Sequence, residues 1–209
     1  MDKYEFSHFI LRKMLHIKSI RFNFEEPFTW ASGWKSPVYC DNRASLSNSD
    51  LRSLIRDAYV DIIQTEFPDV EVIAGVATGA IAQGALVADK LNKPFVYVRE
   101  KAKNHGLKRL IEGVLEPGQK TVIIEDLIST GGSSLKAAQE LRNAQAHILG
   151  MTAIFTYEFP VAVDRFKENN CKLFAISTFS KLINLALEDG YITEKEADKL
   201  RKWHQNPQS

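Results

Sequence analysis

The feature that most constrains the fold lies at residues 121–134, TVIIEDLISTGGSS. Four β-branched residues, Thr121 to Ile124, run into two adjacent acids, Glu125 and Asp126, and then into a Ser/Thr/Gly turn that opens a helix-forming stretch. So apolar a run predicts a strand buried on both faces, which requires a parallel sheet covered by helices. Ligands of such sheets bind at the carboxyl ends of the strands. Here the turn from Ser129 to Ser133 offers backbone N–H groups and hydroxyls at a helix N-terminus, an arrangement suited to phosphate. Glu125 and Asp126 stand just before it, where they can take sugar hydroxyls or the water shell of Mg²⁺. Neither G-x-x-x-x-G-K-[ST] nor G-x-G-x-x-G occurs, so the turn is not a Walker A loop or a dinucleotide fingerprint.

Two further strand ends are unusual. Gly75-Val76-Ala77-Thr78-Gly79-Ala80 is a small-residue turn between a strand and a helix, able to approach an anion with its backbone. The stretch Arg99 to Gly113, REKAKNHGLKRLIEG, has almost no apolar content before Leu110. Between Arg99 and Arg109 it carries five basic residues, one acid and His105, a local net charge of +4. A connection this long is unusual in an α/β domain and suits a lid. Set beside two candidate anion turns, it implies a substrate with several negative charges.

The surrounding pattern alternates strand and helix. Strands are expected at 70–76, 94–98, 121–124, 148–155 and 173–177, and helices at 81–91, 133–144 and 161–169. Together they form an α/β core over about 68–178. Before it come an amphipathic helix over 4–17, short strands and turns over 20–43, and a helix with Leu51, Ile55, Ala58, Tyr59 and Ile62 on one side. After it, one helix starts at Ser180 and a second at a capping box formed by Thr193 and Glu196. Both flanks are too short for cores of their own, so they are expected to pack together as a small hood or a dimer surface.

Composition enters as a set of exclusions. With 209 residues, the chain suits one α/β domain with appendages. Its net charge is +1, leaving −3 outside residues 99–109, which argues against a nucleic-acid or membrane partner. Cys40 and Cys171 cannot make a disulfide framework. The first twenty residues lack an uninterrupted apolar segment and a cleavage site, so a cytoplasmic protein is expected. His8, His16, His147 and His204 have no metal-ligand partners at suitable spacing and read as packing or surface residues. The sum is an enzyme acting on a phosphorylated sugar that bears more than one phosphate.

These segments resemble the type I phosphoribosyltransferases. Residues 122–134 are similar to that family's motif for phosphoribosyl pyrophosphate (PRPP). Phe28 to Arg43, FTWASGWKSPVYCDNR, resembles the N-terminal signature of the orotate phosphoribosyltransferase branch. So do R-x-K-A-K-x-H-G at 99–106, Ile111-Glu112-Gly113 behind it, and the tail from Ile192 to Trp203, which is similar to a bacterial subset. The resemblance spans essentially the whole chain.

It implies an α/β fold with a hood, and transfer of phosphoribose from PRPP to orotate with Mg²⁺ in a cytoplasmic homodimer. Carried over by position, Arg99, Lys103 and His105 meet the pyrophosphate, on a 99–113 loop shared across the dimer. Glu125 and Asp126 hold the ribose hydroxyls. Leu127, Ile128, Ser129, Thr130, Gly131, Gly132 and Ser133 complete the PRPP motif and cradle its 5′-phosphate. Ala77, Thr78 and Gly79 form the pyrophosphate turn. Ser129 lies against orotate, and Lys35 stands in for a lysine that some members carry where this chain has Ala31. The metal is held mainly by PRPP itself, with no direct protein ligand. Other departures are Thr78-Gly79 in a turn where some members have lysine, Glu100-Lys101 for Lys-Glu, Asn104 for Asp, and Tyr157-Glu158 where an orotate-contacting arginine is usual. Two other readings remain: a phosphoribosyltransferase for a purine base, and a PRPP-binding regulator without catalysis.

Overall fold

The computed structural model describes residues 3–30, 33–100 and 110–207. Helix α1 (Lys3–His16) is followed by four short strands, β1 (Ile20–Phe22), β2 (Phe28–Thr29), β3 (Lys35–Ser36) and β4 (Val38–Cys40). Helix α2 (Ser49–Glu66) then leads into β5 (Val72–Val76), α3 (Ile81–Leu91), β6 (Phe95–Val98) and β7 (Ile111–Glu112). The second half runs β8 (Lys120–Ile128), α4 (Gly132–Asn143), β9 (His147–Thr156), α5 (Pro160–Glu168), β10 (Leu173–Thr178), α6 (Phe179–Glu188) and α7 (Glu194–Gln205).

Six strands form one sheet in the order β10-β9-β8-β5-β6-β7. All neighbours pair in parallel except β6 and β7. Alternation along the strands splits the core into two layers. Val72, Ala74 and Val76 face α4 and α5, packing with Leu135, Leu141 and Phe166. Ile73, Val122 and Ile124 face the opposite layer, which gathers Ile10 and Met14 of α1, Ile55 and Tyr59 of α2, Leu182 of α6 and Leu200 of α7. The two chain ends thus share one apolar layer. No helix among the described residues is long and apolar enough to cross a membrane.

Helix ends follow local chemistry. Asn48 caps α2 by accepting the Leu51 N–H at 2.9 Å. The Thr193–Glu196 capping box is formed in full at α7. Pro160 stands at the first turn of α5, where its missing N–H costs nothing.

The structure differs from the sequence reading at two strands. β8 does not stop at Ile124 but continues to Ile128, because Glu125, Leu127 and Ile128 keep pairing with Ala153, Phe155 and Thr156 of β9. The two acids therefore lie inside a strand. The 99–113 connection also returns to the sheet: Val98 and Tyr97 pair antiparallel with Ile111 and Glu112, and the Arg99 N–H donates to the Leu110 carbonyl at 2.8 Å. A chain doubling back on the same edge can pair only antiparallel, so the sheet is mixed at that edge.

Candidate active site

A cleft of about 530 Å³ opens at the carboxyl ends of β5 and β8. The strand direction brings Glu125 and Asp126 there, and the strand pleat gives them different roles. Glu125 is 5% exposed. One carboxylate oxygen accepts the Asp126 N–H at 2.9 Å and the other accepts the Ser134 hydroxyl at 2.8 Å. Its own carbonyl accepts the Tyr59 hydroxyl from α2. Burial, and next the charge of Asp126, push the Glu125 carboxyl well above the usual carboxylate range. Asp126 is half-buried and lines the cleft. It is held from behind: Cys40 Sγ donates to Asn42 Oδ1 at 3.0 Å, and Asn42 Nδ2 donates to the Asp126 carbonyl at 2.6 Å.

The Asp126 carboxylate lies against the 77–79 turn. A β-carbon on Gly79 would fall 2.1 Å from Asp126 Oδ2, so glycine is required for this approach. Ala77, Thr78 and Gly79 all line the cleft. On its other side α4 begins after Gly131, whose φ of +76° favours glycine. Ser129, Ser133 and Leu127 line the cleft, while Ile128 is buried in the α4/α5 layer. Thr130 and Gly132 belong to the same turn, and Arg165 of α5 braces it by donating to the Thr130 carbonyl at 3.0 Å. The structure thus gathers the acids and both candidate anion turns in one place.

Other expected residues lie differently. Arg99 pairs with Glu112 at 3.4 Å and lines a small neighbouring cavity of about 50 Å³, which shares Ala77, Glu100 and Ser133 with the cleft. Lys103, His105 and the changed positions Lys101 and Asn104 lie outside the described residues, as does Ala31. Lys35 is exposed, donates to Thr29 Oγ1 at 2.6 Å, and is not among the described residues lining the cleft.

The remaining wall was not assigned from sequence. It includes Trp30, Tyr39, Cys40, Asp41, Arg43 and Tyr157. Trp30 and Tyr157 lie 4.8 Å apart, centroid to centroid. Behind them Phe159, Phe179, Trp203 and His204 complete a continuous aromatic cluster. Trp203 Nε1 donates to the Lys35 carbonyl at 2.8 Å, fastening α7 to the β2–β3 hairpin. Glu158 turns out of the site: its carboxylate caps α6 by accepting the Ser180 N–H at 2.9 Å and hydroxyl at 2.6 Å. Cys40 lines the cleft, but burial pushes its thiol above its ordinary pKa, opposite to the shift that activates a nucleophilic cysteine.

This arrangement suits a ligand with a flat ring, a sugar and phosphates. Among the described residues no group of three His, Cys, Asp or Glu side chains could hold a metal ion. The Asp126 carboxylate faces the cleft beside the two candidate anion turns. That donor set fits Mg²⁺ bound chiefly by substrate phosphates, since Mg²⁺ keeps its waters and takes few protein ligands.

Comparison with known proteins agrees with the geometry. Residues 46–178 match the family described as phosphoribosyl transferase domain. The chain is 52% identical to the orotate phosphoribosyltransferase of Porphyromonas gingivalis over 200 residues, covering 96% of this chain and 95% of that protein. It is 52% identical to the orotate phosphoribosyltransferase of Phocaeicola vulgatus over 195 residues, covering 93% and 92%. The fold is similar to the crystal structure of orotate phosphoribosyltransferase from Aeropyrum pernix, with a TM-score of 0.76 and 23% identity, over 88% of this chain and 99% of that one.

Proposed function

The chain belongs to the orotate phosphoribosyltransferase family, and from that premise we propose how its cleft performs the reaction. The enzyme transfers the 5-phosphoribosyl group of PRPP to orotate, giving orotidine 5′-monophosphate and pyrophosphate, a step of pyrimidine biosynthesis. The observation that carries the assignment of roles is that Asp126 lies against the Gly79 turn while the 129–133 turn and an aromatic wall face the same cleft.

The 5′-phosphate sits on the 129–133 turn, where α4 presents free backbone N–H groups. The pyrophosphate lies on the 77–79 turn. Asp126 takes the ribose hydroxyls between them, and Glu125, buried and bonded to Ser134 and to the Asp126 N–H, fixes the strand end. As the bond from C1 to pyrophosphate breaks, the ribose becomes cationic and the leaving group gains negative charge. The Asp126 carboxylate stabilises the first, and Arg99, Lys103 and His105 stabilise the second. Orotate N1 attacks C1 directly, with no covalent enzyme intermediate, so the remaining chemistry is positioning. Mg²⁺, when bound with PRPP, neutralises phosphate charge.

The loop at 99–113 closes over the substrates to exclude water and reaches the neighbouring subunit of a cytoplasmic homodimer. The chain acts as one domain, its core over about 68–178 and its hood from 1–67 and 179–209. The apolar layer shared by α1, α2, α6 and α7 supports that division.

The test is a product assay with PRPP, Mg²⁺ and orotate, uracil, hypoxanthine, adenine or guanine in separate reactions. Magnesium-dependent nucleotide and pyrophosphate formation from orotate alone is expected. Turnover of a purine would overturn the base assignment. PRPP binding without turnover of any base would make the protein a regulator.

A further inference from the structure

Orotate differs from uracil by a carboxylate on the ring, so a site selecting it needs a cation beside a flat apolar wall. Resting on the function proposed above, we propose that Arg43 is the group that reads this carboxylate and sets base specificity.

The charge inventory of the cleft carries the inference. Its described lining holds four acids, Asp41, Glu100, Glu125 and Asp126, and a single basic side chain, Arg43. Asp41 is paired with Arg43 and Glu125 is buried, which leaves Glu100 and Asp126 open to the cleft, and an anionic ring entering beside them needs a cation placed for it. Two other basic side chains near this wall, Lys35 and Arg21, are already engaged. Lys35 donates to Thr29. Arg21 stacks on Phe28 and Tyr39, 5.6 and 5.2 Å from their centroids.

Arg43 is fixed in a way that suits recognition. Its Nε donates to Asp41 Oδ1 at 3.0 Å, an ion pair that helps to orient the guanidinium. With Nε occupied, the two terminal nitrogens remain for a carboxylate, the fork geometry in which arginine exceeds lysine. Location separates the base from the phosphates. Arg43 follows β4 within four residues of Tyr39, and Tyr39, Trp30 and Tyr157 supply the flat faces of the same cleft. The phosphates have donors of their own at 77–79 and at the start of α4.

The experiment compares wild type, Arg43→Gln and Arg43→Lys in steady-state kinetics with orotate and PRPP varied separately. Equilibrium binding of orotidine 5′-monophosphate and uridine 5′-monophosphate is measured alongside. Arg43→Gln is expected to raise KM for orotate by about 10-fold or more, the size of a charge-assisted hydrogen bond. KM for PRPP should stay within about threefold. The preference for orotidine over uridine monophosphate should fall by a similar factor. Arg43→Lys should recover part of it, since the charge remains and the fork is lost. Arg43 is exposed and both variants should fold; should Arg43→Gln fail to do so, unchanged orotate KM and nucleotide preference in Arg43→Lys would overturn the role. A rise in PRPP KM alone, or no change in either substrate, also overturns it. Absence of orotate turnover by the wild type overturns the function and this role together; wild-type turnover with an indifferent Arg43 removes only the role.

Discussion

The Asp126 carboxylate occupies the space where a side chain on Gly79 would begin: a β-carbon there would stand 2.1 Å from Oδ2. The Asp126 carboxylate and the 77–79 turn are therefore one unit. The Gly79→Ala variant should fold normally, because the atom it meets is the tip of a side chain rather than backbone. It should lower kcat/KM for PRPP by about 10²-fold, the cost of an ångström-scale misplacement. Wild-type kinetics in a folded Gly79→Ala enzyme would show that the two groups act independently.

Glu125 gives a pH signature. Burial raises its folded-state pKa above the unfolded value, so the native state binds the proton more tightly. Its contribution to stability is full below the unfolded carboxylate range and is lost as pH rises through the folded pKa. In Glu125→Gln that loss cannot occur. Denaturant midpoints at pH 5 and pH 8 should show the variant gaining on wild type at the higher pH. An equal difference at both values would mean that Glu125 does not titrate as a buried acid.

The charged loop is tested by complementation. Lys103→Ala should cut turnover by about 10²-fold or more, as expected for a preorganised charge contact to the leaving group. Mixing it with Asp126→Asn subunits should restore partial activity if the loop crosses a dimer, since one hybrid site then has both groups intact. No recovery after verified subunit exchange would place the loop over its own subunit's site.

Trp203 should matter for both stability and base binding, although it does not line the cleft. It joins α7 to the Lys35 carbonyl and packs on Trp30 and Tyr157. Being half-buried, its replacement by alanine should cost about 2 kcal/mol, less than the roughly 3–5 kcal/mol of a fully buried tryptophan. That corresponds to a fall of about 4–8 °C in Tm, with a raised orotate KM. Trp203→Phe should keep most of the stability and lose only the N–H contact. A Tm shift under about 1 °C for alanine would remove α7 as a support of the aromatic wall.

Much of this architecture is written locally. The capping box at Thr193, the helix Ile81–Leu91 and the sheet's β-branched strands follow from nearest-neighbour patterns. The extent of β8 does not. Two acids after Ile124 look like the end of a strand, but their backbone is paired by β9, and Glu125 is satisfied by Ser134 and by Tyr59 from 66 residues away. The aromatic wall was missed for a similar reason. Trp30, Tyr157, Phe179 and Trp203 come from separate elements, and periodicity assigns each to a core without saying that they touch. Arg43 lay inside a motif quoted for its resemblance, yet a lone arginine carries no spacing signal; the shape of the cleft alone singles it out.

The sheet also bears on how copies of this chain can meet. One border ends in β7, only two residues long, laid over β6 by the returning connection. At the opposite border the Ser7 hydroxyl donates to the Ile176 carbonyl at 2.6 Å, so α1 occupies a backbone acceptor of β10. The β7 margin offers a neighbouring chain only two residues to pair with, and at β10 the Ile176 carbonyl is already taken. Both features work against a continuous sheet that would grow without limit, and favour contacts through side-chain surfaces, which sequence change can tune residue by residue.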